Sequence, residues 1–311
     1  MNYTIHQLRV FITVCDTKSV TKAAQVLHLT QPAVSMQLKK LQDQFEIPLT
    51  EVIGRKLYIT PFGEEIAKII RSILEKMNQI KEQVELSKGL LSGKIRIASV
   101  STGKYLIPYF LKAFMKLHPQ IEIIIDVTNK NKVVEDLRNN DTDYALVSVI
   151  PTDMDLIRIQ LLQNHLYLVG SKEVCYATSQ HTGSFAAKMQ SLKFIFREPG
   201  SATRRAMEHF LETENMQVQN KIELKSNEAV KQAVVAGLGV SVMPLIGLKN
   251  EMQLDQIRII EHEHLPIESN WNLVYLKGKE MTPAMNAFIG HLSMFKQGII
   301  ENQFSWILNY L

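Results

Sequence analysis

Apolar residues recur at helical spacing near the start of the chain. Ile5, Leu8, Ile12 and Cys15, with Phe11 beside them, share one face across residues 4 to 15. Val20, Ala23, Ala24 and Leu27 make a second stripe, Leu29 and Thr30 interrupt it, and Val34, Leu38 and Leu41 begin a third. The pattern predicts two short helices joined by a tight turn, with the first helix closing the core beneath them. Thr30 is placed to cap the later helix, and Pro32 is tolerated in its first turn, where an N–H would have no intrahelical partner. Pro32, Ser35, Met36 and Lys39 face away from the apolar stripe, so the outward face is small, polar and basic.

Such a pair suits the major groove of duplex DNA, which admits one helix whose first residues touch base edges. Gln31 would bond adenine, Ser35 a base or phosphate, and Met36 a thymine methyl, with Pro32 between them. Lys39 and Lys40, further along, suit phosphates. Spacing alone leaves an ordinary αα-hairpin with a solvated face equally open. Next, in QDQFEIPLTEVIGRKLYITP, Gly54-Arg55-Lys56 lies between short apolar runs. This is a hairpin signal with a basic tip, the pattern of a wing on DNA backbone, although taken alone it also describes a plain charged turn.

Thr60 and Pro61 then read as N-cap and first residue of a long helix, with Glu64 and Glu65 near its positive end. Phe62, Ile66, Ile70, Ile73, Met77, Ile80 and Val84 step by 4, 4, 3, 4, 3 and 4, an a/d seam from Ile66 onward. About 26 residues give a rod of roughly 40 Å. A narrow seam on such a rod calls for a partner helix from a second copy; the alternative is packing on its own domain. Ser87-Lys88-Gly89 and Ser92-Gly93 form a linker.

Beyond the linker, strand and helix patterns alternate. Strands are predicted at 94 to 99, 121 to 127, 143 to 149, 165 to 171, 193 to 198, 221 to 226, 239 to 244 and 270 to 276. Helices are predicted near 103 to 116 and 131 to 139, from 201 and from 227, and over 281 to 297. The alternation argues for parallel α/β architecture. The apolar tail GIIENQFSWILNYL needs a surface to pack on.

Charge adds weight to the first domain. The chain carries a net +4, and residues 1 to 60 hold seven bases, Arg9, Lys18, Lys22, Lys39, Lys40, Arg55 and Lys56, against the four acids Asp16, Asp43, Glu46 and Glu51. Most of the excess therefore lies where a DNA-reading helix pair is predicted. Cys15 and Cys175 are too few for a disulfide framework, which fits a reducing compartment. The N-terminal stretch is broken by His6, Gln7, Arg9 and Thr13 and does not read as a signal peptide, and no stretch is apolar enough to span a bilayer. A soluble, cytoplasmic protein is expected, without a membrane partner.

The order helix pair, basic wing, heptad rod and α/β domain resembles LysR-type transcriptional regulators over nearly the whole chain. The most specific stretch is FITVCDTKSVTKAAQVLHLTQPAVSMQLKKL, with Ala23-Ala24, Leu27, Gln31-Pro32, Val34-Ser35 and Leu41 in the family's pattern. Leu49, Gly54, Thr60, Gly63, FREPGSATR and NEAVKQAVVAGLGVSVMP add support. Two departures stand out. Leu49-Thr50-Glu51-Val52 replaces the leucine, phenylalanine and basic residue of many relatives, and Met36 replaces a common arginine. Met36, STGKYLIP and VTNKNKVVEDLRNN look most like the branch containing regulators of carbon-fixation operons.

The resemblance implies an N-terminal all-α winged helix-turn-helix domain at 1–60, a dimerisation helix at 61–87, an effector-binding domain at 93–298 and a tail at 299–311. The effector domain would be a C-terminal α/β fold like a periplasmic-binding protein, with subdomain one at 93–163 and 268–298 and subdomain two at 164–267. Crossovers would fall near Gln163 and Pro266. The expected partners are double-stranded DNA at an inverted-repeat operator, a small organic anion as effector, a second copy in a homodimer and then a homotetramer, and RNA polymerase. No cofactor is expected. Thr30, Gln31, Pro32, Ser35, Met36, Lys39, Lys40, Arg55 and Lys56 would serve DNA, and Ile66, Ile70, Ile73, Met77, Ile80 and Val84 dimerisation.

For the effector, three helix starts at strand ends offer free N–H groups beside a hydroxyl or amide, an arrangement that favours carboxylate or phosphate. These are Ser101-Thr102-Gly103, Gly200-Ser201 with Thr203, and Ser226-Asn227; Ser99, Thr128 and Asn129 would complete the lining. Each could equally be a simple helix cap. Arg197, Lys104 and Lys130 are candidates for countercharge.

Two other functions compete. A solute-binding protein would explain the α/β part but not the first 92 residues. An α/β enzyme would draw on His262 and His264, on one face of a strand, or on Ser241. No third metal ligand accompanies the histidines, Ser241 lacks a G-x-S-x-G setting, and Gly237-Leu238-Gly239 reads as a helix C-cap. No catalytic or metal residues are therefore expected, and the protein is read as a non-enzyme.

Overall fold

The computed structural model describes the chain apart from Met1, Arg55, Gln219, Leu311 and the side chain of Lys81. It forms two compact units, residues 1–90 and 91–311.

The first unit begins with α1 (Ile5–Thr17), opened by a reciprocal bond pair in which Thr4 accepts from the Gln7 backbone and the Gln7 side chain accepts from the Thr4 N–H. Ser19 caps α2 (Val20–Val26). His28, at φ 54°, turns the chain into α3 (Gln31–Gln42). Thr30 occupies the N-cap position, but its hydroxyl makes no capping bond among the described residues, which corrects the expected cap. Phe11, Val14, Ala23, Val34 and Leu41 fill the core between the three helices. Strands β1 (Thr50–Ile53) and β2 (Lys56–Ile59) pair antiparallel with Ile53 opposite Lys56, and Gly54, directly after β1, takes φ +54°. Helix α4 (Pro61–Ser87) follows, and Thr60 caps it by accepting from the Gly63 N–H. Gly63 must be glycine: a Cβ there would lie 2.1 Å from the Leu49 carbonyl oxygen.

In the second unit, β3 (Gly93–Val100) lies parallel to β4 (Ile121–Thr128) and to β5 (Tyr144–Val147). The helix expected at 103 to 116 is split into one 3-10 turn, Gly103–Tyr105, and α5 (Ile107–Leu117). Helix α6 (Lys130–Arg138) joins β4 to β5. The 16-residue strand β6 (Leu156–Ser171) is far longer than the predicted segment at 165 to 171. Its first part pairs with β11 (Ile267–Leu276) and its last part with β9 (Ser241–Pro244) and β10 (Ile257–Ile259). Strands β6 and β11 thus run through two subdomains and connect them. Because these pairings are antiparallel, the sheet is mixed and not parallel throughout.

Subdomain two also contains α7 (Lys172–Gln180) and α8 (Phe185–Met189), then β7 (Phe194–Arg197), α9 (Ala202–Thr213), β8 (Lys221–Leu224), α10 (Asn227–Val235) and α11 (Lys249–Gln253). Strands β7 and β8 pair in parallel, and a single Phe194–Val240 bridge joins them to the segment leading into β9. Gly237, at φ +73°, ends α10 and lets the Leu238 N–H reach the Ala233 carbonyl.

Helix α12 (Pro283–Phe304) runs past its predicted end, and a 3-10 segment, Ser305–Tyr310, completes the tail. Phe304 packs edge-on against Tyr109 of subdomain one, while the Lys249 ammonium lies over the Trp306 ring and the Tyr167 hydroxyl donates to the Tyr310 carbonyl in subdomain two. The tail therefore straps both subdomains. Among the described residues no helix is long and apolar enough to cross a membrane.

Candidate functional site

Helix α3 buries Val34, Leu38 and Leu41 and turns Gln31, Pro32, Met36, Lys39 and Lys40 to solvent. The Gln31 amide donates to the Ser35 hydroxyl at 3.0 Å, one helical turn on, which orients both polar groups on the outward face. Lys56 is exposed at the base of the wing turn, and Arg55 lies outside the described residues. Val52 and Ile53, at the departure from the familiar wing sequence, are exposed and apolar.

The heptad seam divides in two. Ile70 is buried with Ala67 in the core of the first unit and Ile66 packs against it, so these two positions serve their own domain, not a partner rod. Further along, Ile73, Ile80 and Val84 are exposed, as is Ile69.

A cavity of about 30 Å³ lies between the two subdomains. From subdomain one, Ser101, Thr102, Thr128 and Asn129 line it, with Lys130 and Ser148. Subdomain two contributes Arg197, Glu198, Ser201, Thr203 and Asn227. Ser201 is the N-cap of α9 and Asn227 the first residue of α10, so the unpaired N–H ends of two helices converge here. Asn227 donates from Nδ2 to the Ser101 hydroxyl at 3.2 Å across the cleft, while its buried Oδ1 has no partner among the described residues. Close by, the Tyr105 hydroxyl donates to Glu228 at 2.9 Å, a second bond between subdomains. Burial and the Glu228 carboxylate push the Tyr105 phenol up, so it remains a donor.

Charge in the cleft is mostly positive. Arg197, only 5% exposed, is held by Glu198 through two bonds of 2.8 Å. Burial, and then the Arg205 guanidinium, lower the Lys130 ammonium from its usual range. Lys130 and Arg205 come from opposite subdomains, and the Asp153 carboxylate partly offsets the repulsion that Lys130 feels.

Several expected lining residues lie elsewhere. Ser99 is fully buried and donates to the Val100 carbonyl; Gly103 lies under the Ser99 hydroxyl and Leu146, where a Cβ would come within 2.2 Å of Ser99 Oγ. The Ser226 hydroxyl is occupied in capping α10, accepting from the Ala229 N–H. Gly200, at φ +87°, shapes the turn before α9 beside Asn131 without lining the cavity. Lys104 pairs with Glu228 at 3.7 Å in a neighbouring groove. Ser148 and Glu198 were missed, yet both directly follow strands, where ligands of α/β sheets gather. Ser241 is buried and donates to the Ile195 carbonyl, a packing role.

Residues 5–64 match the bacterial regulatory helix-turn-helix proteins of the lysR family, and residues 88–295 match the LysR substrate binding domain. The chain belongs to the LysR family. It is a DNA-binding transcriptional regulator with an effector-binding C-terminal unit. This LysR-family chain is 33% identical to the HTH-type transcriptional activator CmpR of Synechocystis sp., over 94% of this chain and 95% of that protein. It is 34% identical to the RuBisCO operon transcriptional regulator of Allochromatium vinosum, over 93% and 95% respectively. The resemblance to regulators of carbon fixation therefore holds. Among solved structures, the Synechocystis CcmR regulatory domain in complex with 2-PG matches with a TM-score of 0.61 and 30% identity, covering 66% of this chain and 98% of that one. Full-length CbnR complexed with its target DNA shares the fold at a TM-score of 0.65 and 19% identity, covering 93% and 99%.

Proposed function

We propose that this chain reads an inverted-repeat operator through α3 and the wing, as a homodimer that pairs into a tetramer, and that a small organic anion in the cleft between subdomains controls it. One observation carries the effector reading: two helix N-termini, a buried arginine and Lys130 converge on one cavity. The CcmR domain's complex with 2-PG supports the same class of ligand. On this reading the protein is a cytoplasmic regulator without enzymatic activity, and target genes in carbon assimilation fit its relatives.

Anion binding would change the angle between subdomains and so the spacing of the reading heads, a coupling typically worth about 1–3 kcal/mol. The decisive experiment maps promoter DNA bound by the full-length protein, then titrates 2-PG and other small organic anions into the complex. Operator affinity or footprint should change with an anion and not with neutral analogues. The reading fails if only neutral or cationic compounds act, or if Thr203→Ala combined with Ser101→Ala leaves the anion response intact.

A further inference from the structure

Away from the cleft, three side chains meet at the far end of α9. Glu214 is the C-cap residue of that helix, and His262 and His264 lie in the loop between β10 and β11, not on a strand face as the sequence suggested. His264 Nδ1 is 2.6 Å from Glu214 Oε1, and His262 Nε2 is 3.2 Å from Glu214 Oε2. One donor atom from each residue falls within 4.8 Å of the other two. The missing third ligand of the histidine pair is thus supplied from 48 positions earlier in the chain.

We propose that Glu214, His262 and His264 form a binding site for one zinc-class divalent cation per chain, with water completing a tetrahedron. Two imidazoles and a carboxylate are a donor set suited to zinc, with bonds of about 2.0–2.2 Å. Tetrahedral donors at that range stand about 3.4 Å apart. Each imidazole faces a different oxygen of Glu214, and with one donor atom taken from each residue the three lie within 4.8 Å of one another, so they need draw in by no more than about 1.4 Å. His264 is half exposed and lies in a loop, so it can give. His262 is better fixed, with its ring 4.2 Å from Phe185 and 5.4 Å from Phe210.

The field around the cluster also suits a cation. Residues 212–214 and 261–264 carry four carboxylates and no lysine or arginine. Glu214 lies at the negative end of the α9 dipole, where a carboxylate is disfavoured and a positive charge is welcome. One contact must change. His262 Nδ1 accepts the His264 backbone N–H at 3.2 Å, which leaves the ring proton on Nε2 facing Glu214. Binding through Nε2 moves that proton to Nδ1, and the His264 amide turns away with its loop. The same loop leads into β11, so an ion here would stiffen the base of one strand connecting the subdomains.

The test uses full-length protein stripped with chelator and titrated with zinc by calorimetry, and with cobalt by visible absorption. One ion per chain and a tetrahedral cobalt spectrum are expected. Glu214→Gln and His264→Ala should each weaken binding at least about tenfold, since losing even an outer-shell partner of a metal costs about 10–100-fold. His209→Ala, an exposed histidine on α9, should leave binding unchanged. Zinc should raise the thermal midpoint of the native protein and not that of His264→Ala. The proposal is overturned if the native protein binds no stoichiometric zinc, or if Glu214→Gln and His264→Ala bind it as the native protein does.

Discussion

Replacing Tyr105 by phenylalanine should strengthen anion binding. The cleft holds about 30 Å³, room for roughly two water molecules, and an organic anion of several non-hydrogen atoms needs more than that. Entry must therefore part the subdomains and break the bonds between them, among them Tyr105 to Glu228 at 2.9 Å. A hydrogen bond to a charged group contributes about 1.5–3 kcal/mol net. Glu228 keeps Lys231 at 3.1 Å and Gln232 at 3.3 Å on Oε1 after the change, and its Oε2, with Lys104 at 3.7 Å on a 44% exposed side chain, is open to water, so the loss should be nearer about 1–1.5 kcal/mol. Because apparent affinity scales with the fraction of open protein, the dissociation constant of Tyr105→Phe should fall roughly 5- to 12-fold. Calorimetric titration of full-length native and variant proteins with 2-PG measures this directly. Weaker binding by the variant would mean that the Tyr105 bond belongs to the liganded form, and equal binding would mean that opening does not limit entry.

At the DNA surface, Lys56→Ala should weaken binding to every sequence and lower the salt slope by about one unit, whereas Gln31→Ala should relax preference at one base pair at a cost of about 1–3 kcal/mol; competition with operator and random duplexes separates them. Ile73→Asp with Ile80→Asp places charge on the exposed seam and should abolish pairing of the rods; unchanged mass by light scattering would remove the rod from assembly. Burial, and then His118, hold the His291 imidazole below the ordinary histidine range. The folded protein therefore takes up this proton less readily than the unfolded chain, and stability should fall as pH drops below about 6.5. His291→Phe keeps the ring packing on Phe114 and should flatten thermal midpoints measured between about pH 7.5 and 5.5; an unchanged slope would assign the dependence to other groups.

The helix pair was legible because its signals are local: Ala23, Val34 and Leu38 state a face within one or two turns, and that face is buried. Strand β6 was not, because its character changes midway. Up to Gln163 only Leu161 is buried, while from Asn164 to Ser171 every residue is buried, so the sequence reads as two segments. The seam was legible as a period but not as a boundary. Nothing in the repeat distinguishes Ile70, under the first unit's core, from Ile73, one turn on and exposed. In the cleft, Asn227 and Thr203 could be picked out at strand ends, whereas Ser226 looked the same in sequence and is occupied by its cap. Glu214 carried no signal, since its relation to His262 exists only once α9 and the β10–β11 loop are packed together.

Helix α4 is at once a wall of the DNA-reading unit, through Ala67 and Ile70, and the bearer of the exposed seam, with no break between the two roles. Each reading head is thus rigidly geared to its rod. In a pair of such rods, sliding one past the other by a single heptad would carry its head about 10 Å, roughly three base-pair steps along a duplex. Operator spacing would then be a mechanical property of the seam's register. Seven residues inserted beyond Ile73 should retune which half-site separation the protein prefers while leaving every base-reading side chain untouched.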